Sequence, residues 1–267
     1  MMLDDVAVRE AFHVHLLRDL VRSMDPHLFR LKGGVNLRLY FGSLRYSEDI
    51  DLDADRGARP ILRREIGRLL HDAAFLRQLA TLGIRGVDAR TAPNKDTETT
   101  LRYKARVVSP GGVPLPTKVD VSFRKEESAE EGTLEAADER VTSQYLSSAD
   151  RPLQVMHYTV MPAVRQKIAA LALRAEVQAR DVFDLAMLAE KRTDTLDLSF
   201  LRRRLSDDTL REAHRRALSL PYDVYRSTVV EFLDPSERAN LGSDRSWDEQ
   251  RLFAARLIEA IQRDVQR

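Results

Sequence analysis

Residues 31–55, LKGGVNLRLYFGSLRYSEDIDLDAD, constrain what this chain can fold into more than any other stretch. Asp49, Asp51, Asp53 and Asp55 alternate with Ile50, Leu52 and Ala54. Alternate residues of a strand share a face, so the run predicts a half-buried strand with apolar side chains inward and carboxylates outward. Asp is a poor strand residue, and like charges along one face repel. Something positive must offset that row. Magnesium, a hard cation held by one or two carboxylates plus substrate phosphates, is the obvious candidate.

The order of signals along the stretch adds chemistry. A short strand over Phe29–Leu31 leads into Gly33-Gly34, Val35–Phe41 has helical periodicity, and Gly42-Ser43 stops it. Glycines before a helix allow close backbone approach, and the helix N-terminus attracts anions, so the pair can cradle a triphosphate. Asp49 and Asp51 can supply a carboxylate pair for metal. Cradle and metal pair are two of the three requirements of nucleotidyl transfer; the third is positive charge for the pyrophosphate leaving group. The simpler alternative is a glycine turn at a helix start and an exposed acidic edge strand.

Composition narrows the class. The chain has 267 residues, 43% hydrophobic and 32% charged, which fits a globular protein with room for one or two domains. No apolar run approaches membrane-spanning length, so no membrane partner is expected. The first residues, MMLDDVAVREAFH, lack the basic-then-apolar pattern of a signal peptide, and a cytoplasmic location is expected. With no cysteine, disulfides and thiolate chemistry are excluded. Net charge is +1, and only seven of the 43 basic residues are lysines. The Arg202–Arg204 and Arg215–Arg216 clusters read as solvated helix faces, with a nucleic-acid groove as the alternative. Nothing in the sequence calls for a homo-oligomer.

Periodicity predicts a helix over 3–24, another over 60–82 and antiparallel strands over 84–89, 99–108 and 116–123, with a turn at Pro110-Gly111-Gly112. Residues 125–139 read as an exposed Glu-rich excursion, and 152–161 as one more short strand. From Pro162 onward the pattern is helical, interrupted near 193–197, at Pro221 and around Gly242. The fold class is therefore α+β: a mixed sheet with flanking helices over residues 1–147, then an all-α lobe over 148–267. Trp247, Tyr222 and Tyr225 read as core of that lobe, with base stacking as the alternative. His13 and His15 lie two apart on a helix, face different ways and make a poor metal pair.

Three later segments carry further candidates: PTKVDVSF with Asp120, VRQKIAALALR with Lys167 and Arg174, and ARDVFDLAML with Arg180, Asp181 and Asp184. Together with Lys32, Gly33, Gly34, Leu37, Arg38, Arg45, Ser47, Asp49, Ile50 and Asp51, they resemble the AbiEii/AbiGii toxin family of the DNA-polymerase-β-like nucleotidyltransferase superfamily. The likeness spans roughly residues 28–190. It implies a nucleotidyltransferase-like sheet and a metal-dependent transferase using an NTP as substrate and magnesium, two ions, as cofactor. It further implies a toxin–antitoxin or phage-defence role, an antitoxin partner, and tRNA or another RNA extended at its 3′ end so that translation stops.

On that resemblance Asp49, Asp51 and Asp120 are the metal ligands. Lys32, Gly33, Gly34, Arg45, Ser47 and Lys167 bind the nucleotide, and Asp49, Asp51, Lys167 and Asp181 are catalytic. Local chemistry offers alternatives: Lys167 as a snorkelling side chain, Asp181 as a carboxylate favoured at a helix start, and Asp184 as an ion-pair partner. Lys167 and Asp181 would stand about 21 Å apart along one unbroken helix, so a break within 175–179 is expected if both serve one site. A small-molecule or protein hydroxyl as acceptor, or a non-catalytic nucleotide- or RNA-binding role, are the rival functions.

Overall fold

The computed structural model describes residues 3–123, 132–192 and 196–264. The chain divides into two compact units: Met1–Gly42 with Tyr46–Tyr158, and Ser43–Arg45 with Thr159–Arg267. The division falls after Tyr158 rather than at 147, because the last strand of the first unit, over Gln154–Tyr158, pairs into its sheet beside Phe29–Lys32.

In the first unit, helix α1 (Asp5–Ser23) begins at Asp4, whose carboxylate accepts from the Ala7 amide. Strand β1 (Phe29–Lys32) runs into α2 (Gly33–Tyr40), and β2 (Ile50–Ala54) follows. The single helix expected over 60–82 is two helices, α3 (Arg59–Leu69) and α4 (Ala73–Thr81). Asp72 starts the second one, accepting from the amides of Ala74 and Phe75, a local bond that outweighs helix propensity at the junction. Strands β3 (Gly86–Ala89), β4 (Lys95–Thr97), β5 (Thr100–Val108) and β6 (Pro114–Ser122) come next. The β5–β6 turn has Gly112 at φ +85°, as its glycines require. Of the excursion expected over 125–139, residues 125–131 lie outside the described residues. The remainder is β7 (Gly132–Ala136) and the start of the short helix α5 (Glu139–Thr142); β8 (Gln154–Tyr158) completes the unit.

The strands form one mixed sheet in the order β3-β5-β6-β2-β1-β8-β7, with β4 pairing the other end of β5. β2 runs antiparallel to β1 and parallel to β6. One face carries Ile50, Leu52, Leu101, Tyr103, Val119 and Val121, all buried. Helix α1 packs against β5, β6 and β8, and α3 and α4 pack on α1. Ile50 pairs with Val119 and Leu52 with Val121, which puts Asp51 beside Asp120 on the opposite face.

The second unit is helical: α6 (Val160–Leu173), α7 (Ala179–Arg192), α8 (Leu198–Arg204), α9 (Asp207–Ser219), α10 (Tyr222–Thr228), α11 (Pro235–Leu241) and α12 (Asp244–Arg263). α12 lies against α7, α8 and α9, and α6 against α7 and α9. Trp247 and Tyr225 are fully buried and stacked 4.4 Å apart, and the Trp247 indole donates to the Leu220 carbonyl, so these aromatics are core. Arg215 and Arg216 pair with Glu212 on their own helix. None of the described helices is long and apolar enough to cross a membrane.

Candidate active site

The Gly33-Gly34 turn and the carboxylates of β2 are built against each other. Gly33 opens α2 at φ +70°, a backbone conformation that L side chains rarely adopt. A Cβ placed there would come within 2.5 Å of the Asp51 carboxylate. Lys32, at the helix cap, makes no side-chain capping bond, so the first amides of α2 are not capped by their neighbour. Gly33→Ala is therefore expected to cost about 1–2 kcal/mol from the left-handed backbone alone and to push Asp51 aside. Gly57→Ala, with open space around it, serves as the comparison. A chemical-denaturation midpoint equal in the two variants would refute this account of the turn.

Asp49 stands in the bend just before β2, and Asp51 pairs in register with Asp120 of the parallel β6. The row of charge is offset by the protein's own cations. Lys118 Nζ lies 3.0 Å from Asp49 Oδ2. Arg102 on β5 grips Asp120 with two bonds, 2.5 and 2.8 Å. Lys32 pairs with Asp53. Asp53 is not outward as the alternation predicts: it is buried, held by Lys32 and by the Tyr158 hydroxyl at 3.0 Å. Asp55 lies beyond the strand and is exposed.

Arg102 feels the charge of all three carboxylates. Its pKa is raised first by hydrogen bonding to Asp120, against desolvation, and then by the charges of Asp120, Asp49 and Asp51. A guanidinium thus already sits in the field of all three candidate metal ligands. Among the described residues no three ligating side chains gather to hold an ion as they stand, and Asp49 and Asp120 are engaged by Lys118 and Arg102. The donor set, hard carboxylate oxygens in a field that attracts a cation, fits magnesium once those two basic side chains give way. Lys118 and Arg102 were missed in the sequence. Lys118 was reachable, since it lies two residues before Asp120 on an alternating strand; Arg102 needed the strand register.

Behind the site, the Ser47 hydroxyl donates to the Asp49 carbonyl at 2.8 Å and closes the bend. The Thr117 hydroxyl donates to the Glu48 carbonyl at 2.7 Å and accepts from His13 Nε2 at 2.8 Å, which fixes the proton of His13 on Nε2. Burial, helped by Arg9, lowers His13 to about 3, and burial with Arg18 lowers His15 to about 4, so both rings are neutral near pH 7. His15 bonds the Tyr145 carbonyl instead, so the two histidines have separate partners.

Arg45, Lys167 and Asp181 come together in the helical unit. Helix α6 ends at Leu173 and α7 begins at Ala179, so the chain breaks over 174–178 although Ala and Glu there favour helix. The Arg216 guanidinium, donating to the Leu171 and Arg174 carbonyls, satisfies the end of α6. The break brings Lys167 Nζ to 3.0 Å from Asp181 and 2.6 Å from Asp184. Arg45 binds Asp184 through two bonds of 2.7 and 2.6 Å, and Arg174 reaches Asp181 at 3.0 Å. Asp181 and Asp184 are fully buried. Burial alone would raise the pKa of Asp184, but the charges and hydrogen bonds of Arg45 and Lys167 win and hold it down at about 2.

Comparison with known proteins gives a family and a fold. The family model described as nucleotidyl transferase AbiEii toxin, type IV toxin–antitoxin system, matches residues 15–264. Among solved structures, JHP933 from Helicobacter pylori aligns at TM-score 0.60 and 18% identity, covering 100% of this chain and 95% of that one. MenT4, the nucleotidyltransferase toxin Rv2826c from Mycobacterium tuberculosis H37Rv, aligns at TM-score 0.58 and 16% identity, covering 98% of this chain and 86% of that one. Comparison with curated protein sequences returned no match. The two structural likenesses speak to fold. The family match takes in the glycine turn, the carboxylates of β2 and β6 and the α6–α7 ion cluster, and on it the chain belongs to the nucleotidyl transferase AbiEii toxin family of type IV toxin–antitoxin systems.

Proposed function

We propose that the open face of the sheet transfers a nucleoside monophosphate from an NTP to the 3′-hydroxyl of an RNA, with tRNA the favoured acceptor, and releases pyrophosphate. The observation that carries the reading is the packing of Gly33 on Asp51, with Asp51 in register with Asp120 and Arg102 drawn into the field of all three carboxylates. Phosphoryl transfer is chiefly a matter of positioning and charge stabilisation, and this face offers both.

In this reading the first amides of α2, reached through Gly33 and Gly34, receive the triphosphate, and Lys32 stands at its edge. Asp49, Asp51 and Asp120 would hold magnesium, two ions when fully loaded, which would supply charge neutralisation at the phosphate and a more acidic attacking hydroxyl. Ser47 and Thr117 keep the Glu48–Asp49 bend in place. Arg102 and Lys118, once displaced from Asp120 and Asp49, remain beside the reacting phosphate as positive charge. Lys167 and Asp181 act through the ion cluster that holds Arg45, two residues before Ser47 in the chain. Cells would tolerate such an activity in the cytoplasm, and during phage attack, only with an antitoxin to counter it.

The test is incubation with each labelled NTP, magnesium and total cellular RNA, with and without periodate oxidation of the RNA termini. Label in an RNA band, lost after oxidation of the terminal ribose, is the expected result. Label in protein or in a small molecule would replace RNA with another acceptor. Pyrophosphate release absent with every acceptor, despite NTP binding, would favour a binding protein.

A further inference from the structure

On the open face, the strand order places β1 and the Gly33-Gly34 turn on one side of β2, and β6, β5 and β3 on the other. In an in-line displacement the attacking and leaving oxygens lie on opposite sides of the phosphorus. With the triphosphate on the α2 side, the acceptor must come in over β6 and β5. A cavity of about 610 Å³ lies there, bordered by Asp49 at one end. Its cations are Arg90 after β3, Lys104 and Arg106 on β5, and Lys118 on β6.

Two features of this cavity have no explanation within the fold. Lys104 and Lys118 are directly opposed across the β5–β6 pair, an arrangement of like charges that destabilises a sheet. Lys118 turns to Asp49 and Arg106 to Asp88, but Arg90 and Lys104 have no ionic partner among the described residues. An anion between the strands would remove the repulsion and give both a partner. Glu48, Asp49 and Asp88 also border the cavity, and its volume suits a nucleotide better than a lone phosphate.

We infer that this cavity is the acceptor pocket, and that it grips the phosphodiester backbone just upstream of a single-stranded polynucleotide 3′ end through Arg90, Lys104 and Arg106. The inference rests on the nucleotidyl-transfer reading and narrows its acceptor to a polyanion. Four basic side chains against the carboxylates of Glu48, Asp49 and Asp88 leave the lining net positive, which favours an anionic acceptor over a cationic small molecule, and a neutral protein hydroxyl would leave Arg90 and Lys104 without an ionic partner.

The triple variant Arg90→Ala/Lys104→Ala/Arg106→Ala tests it, since all three side chains are exposed and their loss should leave the melting temperature unchanged. Binding of a 5′-fluorescent single-stranded RNA is followed by anisotropy across a salt series, and binding of a fluorescent non-hydrolysable NTP analogue in parallel. Each single-strand phosphate contact contributes about 0.7 to the log–log salt slope, so three lost contacts should lower it by about 2 and weaken RNA binding on the order of a hundredfold at 0.1 M salt. NTP affinity should hold. Unchanged RNA affinity and slope, with RNA still labelled, would overturn the pocket and leave nucleotidyl transfer to RNA standing. Lost NTP affinity would assign the cations to the triphosphate and overturn the pocket too. Wild-type protein that neither binds nor labels RNA would overturn both readings.

Discussion

Asp51→Ala should abolish nucleotidyl transfer, lowering the initial rate by at least about a thousandfold, roughly 4 kcal/mol at 1.36 kcal/mol per tenfold. Asp51 sits where the glycine turn, β2 and β6 meet: Gly33 packs on its carboxylate and Asp120 lies beside it in register. Asp120 is held by Arg102 and Asp49 by Lys118, so neither is placed to take over the contact with the glycine turn. Stability should suffer little, because the side chain lies on the partly exposed face and its removal relieves repulsion with Asp49 and Asp120. Asp51→Asn keeps the shape and removes the charge; it should be as inactive as the alanine variant. Rates with labelled NTP, with melting temperatures measured alongside, decide the matter. Near-normal turnover in Asp51→Ala would end the assignment of this face as the catalytic one.

Asp184→Ala should be the most destabilising of the single changes considered, by about 3–5 kcal/mol, because it removes the buried carboxylate that Arg45 grips with two bonds and leaves Lys167 to Asp181. The cost of that loss exceeds what the pair contributes on balance, since both charges were desolvated to form it. The acid limb gives an independent reading. The carboxyl of Asp184 has a folded pKa of about 2 against an ordinary value of 3.8. A depressed folded pKa means the stabilisation is fully present above about pH 4 and is lost as pH falls toward 2, because the unfolded chain takes up the proton first. The difference amounts to roughly 2 kcal/mol. Urea midpoints measured from pH 5 downward should therefore fall less steeply in the variant than in the wild type. A variant as stable as wild type at neutral pH would mean that the cluster is hydrated and loosely held.

The Asp49–Lys118 and Asp120–Arg102 pairs change how the acidic row is understood. Alternating carboxylates on one strand face demand positive charge nearby, and the first source is the sheet itself. These pairs are partly exposed, so each adds little to stability. Low cost of separation is what a site that exchanges protein cations for magnesium would need. His13 and Thr117 act from behind the sheet face. Their buried bonds hold the Glu48 carbonyl, and through it the bend that presents Asp49.

The local pattern was legible in the order of residues alone. Period-two alternation located β2, β5 and β6 and sorted their apolar from their polar side chains, because a strand's geometry leaves no other choice. The glycine pair announced a turn that only a residue without Cβ can make, and the helical period of the last hundred or so residues announced an all-α unit. Periodicity does not encode the contacts made across the fold. Asp53 shares parity with Asp51, yet it is buried, because Tyr158 arrives from a strand far along the chain. Residues 60–82 read as one helix, yet Asp72 caps a second one that packs on α1. Residues 175–178 favour helix, yet the chain breaks over 174–178 so that Lys167 and Asp181 can meet at 3.0 Å rather than stand a helix length apart. At Asp53 and at the α6–α7 break, bonds between distant residues outweighed a local preference worth less than about 1 kcal/mol per residue, and only the folded chain shows which distant residues those are.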